Sequence, residues 1–500
     1  LAAPQQPFPK RMQPSSAAVA AAFGQRLREA LGHPPTAGQE RAIDAMQRLW
    51  ATHQERAVLV LRGYAGTGKT ALLGALVKAL KGLRSKAVLL APTGRAAKVL
   101  ASHAQADAST IHRRIYRVGE GVDGPGLSLA PNEDAGTLFI VDEASMIGPS
   151  GEGDFGGRDL LRDLLEHVFS APGCRLLLVG DPAQLPPVGS LLSPALDIRG
   201  LRALGCAAGG VDLTEVVRQR SESGILDNAT ALRELLGDSA WLAVPEPDAR
   251  AEENAPVAMP RLLAAADVVR VDGHDLQDAL ESAYAEDGDE EVCIICRSNK
   301  RAYLYNQQVR ARIHGYEEEL SPGDRLMVVR NNYHWARQGG RPGLIANGEP
   351  IAVRRIHRVE EMHGLRFADI TAEWWDGAAP REIEAKVMLD TLAVEAPALP
   401  AQRMRELALR VSEGLPSIGR GARARALRED PWLNALQVKY AYAVTAHKAQ
   451  GGQWSSVFVD QGYLTEEMVD REFVRWLYTA ATRATRKLYW LNFHPRFWGE

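Results

Sequence analysis

Apolar positions follow two alternating rhythms along the chain. Short unbroken runs of Val, Leu and Ile are followed by stretches in which apolar residues recur every three or four positions. The first rhythm belongs to strands buried on both faces and the second to helices that cover them, so the chain beyond Gly24 predicts parallel sheets packed between helices. Strands are expected at residues 57–62, 87–92, 137–142 and 175–180. From about residue 226 a second α/β unit begins, with a strand at Val292–Cys296 and a helix running on through Arg310. Residues 323–330 and 347–353 read as strands of a small β module. Two short alternating segments around a Gly/Asp/Pro turn, within 116–129, predict a projecting β-hairpin. The Arg-rich stretch 403–428 reads as helix with a solvated face. The first residues, through Ala22, are rich in Pro, Gln, Ser and Ala and read as a disordered leader.

Composition narrows the picture. A chain of 500 residues, 46% hydrophobic and 24% charged, is too long for one core and suggests two main domains with insertions. The net charge of −3 gives no global basic signature, so a polyanion would have to be held in a local groove. Four cysteines make no disulfide framework, and Cys293 and Cys296 suit a buried strand better than a zinc site. No apolar run approaches the roughly 18 residues that cross a bilayer, so no membrane partner and a soluble, cytoplasmic location are expected.

The chemistry begins at Gly63-Tyr64-Ala65-Gly66-Thr67-Gly68-Lys69-Thr70, which fills the phosphate-loop pattern G-x-x-x-x-G-K-[ST] between a strand and a helix. Gly63, Gly66 and Gly68 let backbone N–H groups of the loop, Thr67 included, turn inward around phosphates. Lys69 is expected to reach the β- and γ-phosphates of ATP, and Thr70 to ligate Mg²⁺. Asp142 and Glu143 end the third strand. There Asp142 would hold the metal, and Glu143 would orient or deprotonate the attacking water. Gln184, just past the fourth strand, carries an amide that can donate to a γ-phosphate oxygen and accept from water, which suits a sensor of that phosphate.

With these in place, the segment Tyr442-Ala443-Val444-Thr445-Ala446-His447-Lys448-Ala449-Gln450-Gly451-Gly452-Gln453-Trp454 makes a resemblance specific. The chain resembles the superfamily 1B DNA helicases of the RecD-like and Dda-like type. Ala91-Pro92-Thr93-Gly94-Arg95, Ser109-Thr110-Ile111-His112, Leu213-Thr214-Glu215-Val216-Val217-Arg218-Gln219 and Leu477-Tyr478-Thr479-Ala480-Ala481-Thr482-Arg483-Ala484 match in the family's order. The resemblance implies an α/β fold of two RecA-like P-loop domains, with a β-hairpin pin and a small SH3-like β insert. Its divisions would be a leader at 1–23, a first domain at 24–225 with the pin near 113–136, a second at 226–345 and 436–500, and the insert at 346–435. By the same resemblance Gln39 recognises adenine and Gly451 belongs to the nucleotide site. Arg218 and Arg483 reach the γ-phosphate, and Pro92, Thr93, His112, Thr445 and His447 grip DNA. It further implies a monomer that moves 5′ to 3′ on single-stranded DNA and opens duplex junctions, with a protein partner in replication or repair. Two alternatives stay open: a DNA-regulated ATPase clamp that unwinds nothing, and an RNA helicase of the same superfamily.

Overall fold

The computed structural model describes residues 16–121, 124–149, 158–217, 223–237, 257–336, 344–375, 379–416 and 419–500. The run Ala57–Gly63 forms strand β1, buried along its whole length. Side chains alternate across a strand. Leu59 and Leu61 therefore join one core layer with Leu72 and Leu76 of the helix Lys69–Gly82, while Val58 and Val60 meet Leu161 and Leu164 of the helix Leu160–Ser170 on the other face. There follow β2 (Ala87–Ala91), β3 (Ala108–Thr110), β4 (Tyr116–Gly121), β5 (Gly124–Leu129), β6 (Leu138–Val141), β7 (Arg175–Gly180) and β8 (Ala207–Leu213). Six of these make a parallel sheet in the order β3-β2-β6-β7-β1-β8, and β4 pairs antiparallel with β5 as a separate hairpin. The four strands expected in this half lie where the apolar runs placed them. β8 went unread because Gly209 and Gly210 dilute its apolar pattern; a Cβ on Gly210 would stand 2.3 Å from Ile198 Cδ1.

The second half contributes β9 (Val268–Val271), β10 (Val292–Cys296), β11 (Arg325–Val328), β12 (Pro350–Met362), β13 (Leu365–Trp375), β14 (Pro380–Met388), β15 (Leu436–Tyr440), β16 (Ala443–Thr445), β17 (Trp454–Asp460) and β18 (Ala484–Leu491). A second parallel sheet runs β16-β10-β17-β18-β9, and β11 to β15 close into a barrel. Cys293 and Cys296 are buried within β10, and all four cysteines are free. Ser298 caps the helix Asn299–Arg312 and Asp470 caps the helix Arg471–Ala481, each accepting a backbone N–H of the first turn. One core layer joins Ile295, Val457 and Leu488 of the second sheet to Val474 and Leu477 of that last helix, and takes in Tyr64, Ala183 and Leu185 from the first half. Apolar packing is thus continuous across the cleft between the sheets.

Two expectations need correction. The leader expected to be disordered through residue 23 contains a helix from Ser16 to Leu31. Phe23 and Leu27 are fully buried, and Phe23 stacks on Trp50 at 4.9 Å. An apolar stripe at helical spacing outweighs the Pro- and Ala-rich composition around it. The insert expected at 346–435 is also too short, because the barrel is closed by β11 before it and β15 after it. The reading of 323–330 as a strand of the β module agrees with the pairing of β11 with β12 and β15, and it is the domain bounds that leave both closing strands outside the insert. No helix among the described residues is long and apolar enough to cross a membrane.

Candidate functional site

The C-terminal ends of the first sheet's strands all face the cleft, where open α/β sheets bind ligands. After β1 the loop turns through Gly66 at φ +75° and Gly68 at φ +83° into the helix Lys69–Gly82. A Cβ on Gly63 would lie 2.9 Å from Thr67 Oγ1, and one on Gly68 would lie 2.5 Å from Gln39 Nε2, so the cradle is built from bare backbone. Thr67 is buried and its hydroxyl donates to Tyr64 O at 2.8 Å. Lys69 Nζ donates to Gly63 O at 2.5 Å and Tyr64 O at 2.9 Å, and stands 3.6 Å from Asp181 Oδ2. Thr70 follows it, half-buried, in the first helical turn.

Gln39 is fully buried and packs on this loop. Its Oε1 accepts from Thr36 N at 3.1 Å, half of a capping box, and its Nε2 donates to Thr67 O at 3.2 Å. Its amide thereby ties the helix Ala37–Ala51 to the phosphate loop.

Asp142 and Glu143 stand beyond β6, and Glu143 has φ +53°, a left-handed conformation costly for a residue with a Cβ. Asp142 Oδ1 accepts from Glu143 N at 2.9 Å. Burial and the neighbouring Glu143 charge push the Asp142 carboxyl up to about 7, against the pull of the Lys69 ammonium. Two crowded carboxylates in a water-poor cleft are a donor set suited to a divalent cation. Arg483 reaches this pair from the second half. It is 4% exposed, and its Nη1 lies 3.8 Å from Glu143 Oε1. Its fork is fixed by donation to Thr479 O at 3.1 Å, Gly452 O at 3.3 Å and Thr482 Oγ1 at 3.2 Å. Lys69, Asp142, Glu143 and Arg483 are therefore brought together in the cleft. Arg218 lies outside the described residues.

Gln184 is 5% exposed, and its Oε1 is buried without a hydrogen-bond partner. Its loop is held from across the cleft: Arg475 Nη1 donates to Pro182 O at 3.0 Å, Leu185 N to Thr479 Oγ1 at 2.8 Å, and Gln450 Nε2 to Leu185 O at 2.6 Å.

A second group of residues gathers beside the nucleotide cradle. Thr93 caps the helix Gly94–Ala104 by accepting from Ala96 N at 3.2 Å, with the half-buried Pro92 before it. Gly451, at φ +70°, packs on this same turn: a Cβ there would meet Ala96 Cβ at 2.7 Å and Thr93 Oγ1 at 3.2 Å. Gly451 thus packs closely on the turn that carries Thr93, one of the residues expected to grip DNA. His112 sits in the short helix after β3, half-buried, with its pKa lowered to about 4 by loss of solvent. It presents a neutral ring at neutral pH. Thr445 precedes the short helix that carries the exposed His447, and it lines a groove with Lys439, Lys448 and Asn299.

Comparison with known proteins places this arrangement. A family model described as an AAA domain matches residues 35–243, and one described as a UvrD-like helicase C-terminal domain matches residues 440–491, together just over half of the chain. The ATP-dependent RecD2 DNA helicase of Deinococcus radiodurans is 34% identical over 228 residues, which are 43% of this chain and 28% of that protein. The ATP-dependent DNA helicase dda of Enterobacteria phage T4 is 28% identical over 208 residues, 40% of this chain and 42% of that protein. These matches bear out the resemblance to the superfamily 1B helicases. The chain spans less than half the length of either of these relatives in the matched region. Among solved structures, Pif1 helicase from Bacteroides in complex with ADP-AlF3 and ssDNA covers 92% of this chain and 93% of that one, at 16% identity and a TM-score of 0.43.

Asp181, Tyr478, Thr479, Arg475 and Gln450 are not picked out by the sequence patterns, although each lies within or beside a motif segment. The spacing of Arg475, Tyr478 and Thr479, at i, i+3 and i+4, puts them on one helix face and was the available signal.

Proposed function

We propose that this chain is an ATP-dependent DNA helicase that translocates 5′ to 3′ on single-stranded DNA and opens duplex junctions as a monomer. The observation that carries this reading is Arg483, held by the second half of the chain, 3.8 Å from Glu143 of the first. A hydrolytic site completed across a cleft acts when the cleft closes, and repeated closure on a held strand is translocation.

In this reading the cradle of Gly63, Gly66, Thr67 and Gly68 holds the phosphates of ATP, and Thr70 and Asp142 hold Mg²⁺. The nucleotide–metal complex supplies the phosphoryl group and neutralises its charge. Lys69 exchanges the carbonyls of Gly63 and Tyr64 for phosphate oxygens. Glu143 orients water and accepts its proton, and the unpartnered Oε1 of Gln184 is an acceptor left for that water. Arg483, with Arg218 as a second expected arginine, stabilises charge spreading over the phosphoryl oxygens. Gln39 serves adenine recognition indirectly, through the loop it braces. Gly451 serves the nucleotide site from its place against the Thr93 turn, and Pro92, Thr93, His112, Thr445 and His447 lie along the strand's track, where hydroxyls and neutral imidazoles hold phosphate and sugar without reading bases.

The hairpin β4–β5 is proposed as the pin that separates strands. Opening one base-pair step costs about 1.4 kcal/mol, so blocking re-annealing is a sufficient task for a short hairpin. We assign residues 16–225 to the first RecA-like unit. The second comprises the rest of the chain around the barrel of β11–β15. A forked DNA with a single 5′ tail or a single 3′ tail tests the reading. Unwinding of the 5′-tailed fork alone supports it, unwinding of the 3′-tailed fork alone overturns the direction, and unwinding of neither with ATP hydrolysis intact favours a clamp.

A further inference from the structure

One hydroxyl that bonds across the cleft is not used by the hydrolytic reading. Tyr478 lies on the helix Arg471–Ala481 of the second half and is 1% exposed. Its hydroxyl donates to Asp181 Oδ2 at 2.7 Å and accepts from Ala65 N, in the phosphate loop, at 2.7 Å. A phenol has one proton to give, and here it goes to a carboxylate, while a lone pair takes the loop's N–H. One oxygen atom thus joins three segments: the phosphate loop, the turn after β7 and the second half's helix.

Asp181 continues the chain of contacts. It is 1% exposed, its Oδ1 accepts from Ala183 N at 3.0 Å, and its Oδ2 is 3.6 Å from Lys69 Nζ. Lys69 has to leave Gly63 O and Tyr64 O to reach a phosphate, and that movement changes the charge facing Asp181. Tyr478 is bonded to the same Asp181 oxygen, so it feels the change directly. Its helix neighbours carry the change outward. Thr479 holds Leu185 N, Arg475 holds Pro182 O, and Arg483 follows the helix's end at 3.8 Å from Glu143. Residues three and four apart share a helix face, so any rotation that loosens Tyr478 loosens the sensor loop as well.

We infer that Tyr478 is a positioning residue that couples occupancy of the phosphate loop to the placement of Arg483 and the Gln184 loop, so that hydrolysis answers to DNA held by both halves. The inference rests on the reading of the cleft as a DNA-stimulated ATPase. Tyr478→Phe keeps the ring and its packing and removes only the oxygen. Ala65 N–H and one lone pair of Asp181 then lose their shared partner. A hydrogen bond to a buried carboxylate is strong enough to shift a two-position equilibrium by about tenfold or more.

The test uses the full chain, with ATP hydrolysis measured over a range of ATP concentrations with and without single-stranded DNA, and binding of a fluorescent ATP analogue measured separately. For Tyr478→Phe the inference predicts that the DNA-stimulated kcat falls about tenfold, while KM and analogue affinity stay within about threefold. Thr479→Val, which removes the bond to Leu185 N, should shift kcat the same way by a smaller factor and serves as the second variant if Tyr478→Phe does not fold. An unstimulated parent chain would overturn the DNA-motor reading itself. A stimulated parent with an equally stimulated Tyr478→Phe variant would overturn the inference alone. A variant whose KM rises while kcat holds would also overturn it, because that pattern belongs to a residue that merely shapes the phosphate loop.

Discussion

Replacing Arg483 probes the cross-cleft site most sharply. At 3.8 Å from Glu143, with both side chains mostly out of water, an effective dielectric of about 20 gives an attraction of about 4 kcal/mol between the two charges. That attraction shows how strongly the guanidinium acts on any negative group that comes to the same place. In the proposed hydrolysis, charge spreads over the phosphoryl oxygens, and a well-placed arginine is worth about 10³- to 10⁵-fold in rate, or roughly 4 to 7 kcal/mol. Arg483→Ala should therefore lower kcat by at least about 10³, with ATP affinity changed less than about threefold, since the phosphate loop lies on the other half. Arg483→Lys is the more discriminating variant. It keeps the charge but loses the fork fixed by Thr479 O, Gly452 O and Thr482 Oγ1, so it should recover no more than about tenfold of the loss. The assay is steady-state phosphate release beside equilibrium binding of a fluorescent ATP analogue, with thermal unfolding to confirm that each variant folds. Turnover by Arg483→Ala within about tenfold of the parent would refute the reasoning, because a group that far from reaction energetics is structural.

Gly68→Ala should weaken nucleotide binding by about tenfold or more, since φ +83° alone costs about 1–2 kcal/mol with a Cβ and the new methyl would stand 2.5 Å from Gln39 Nε2; unaltered analogue binding would contradict it. Glu349 is buried beneath Gly94, its Oε2 accepts from Trp374 Nε1 at 2.6 Å, and loss of solvent raises its carboxyl to about 7. A raised pKa means that the folded chain holds the proton more tightly than the unfolded one, so this stabilisation is complete below about 4.5 and fades as pH rises through 7, by about 3 kcal/mol in all. Glu349→Gln keeps an acceptor for Trp374 and should gain stability over the parent between pH 5 and 8; a difference in unfolding free energy that ignores pH would count against it. Phe23→Ala should cost about 3–5 kcal/mol by opening a cavity against Trp50, seen as a lower unfolding midpoint, whereas a neutral result would mean that the helix Ser16–Leu31 does not dock.

The parts of this molecule legible in the sequence are those in which physics acts locally. The apolar runs at β1, β2, β6 and β7 announce buried strands, and Gly63 to Thr70 announces a phosphate cradle because spacing and backbone freedom are both written in order. Thr36 and Gln39 were legible in another sense than the one first given: S/T-x-x-E/Q signals a capping box, and the structure uses Gln39 in one. Phe23 was hidden by its surroundings, since four helical turns of mostly Ala, Gln and Arg conceal a narrow stripe. What remained illegible depends on segments far apart in the chain. The barrel needs β11 and β15, which are separated by more than a hundred residues, and no local pattern says that they pair. Tyr478 and Ala65 are 413 residues apart, yet share one hydrogen bond. Arg483 reads as part of a motif, but its 3.8 Å approach to Glu143 exists only once two sheets have been set face to face.

The central claim is that the cleft between the sheets hydrolyses ATP when DNA is held along it. Steady-state ATP hydrolysis without nucleic acid, with single-stranded DNA and with single-stranded RNA, all at one salt concentration because phosphate contacts are salt-sensitive, tests it most directly. The account predicts strong stimulation by DNA and little by RNA. Equal rates in all three conditions would contradict it.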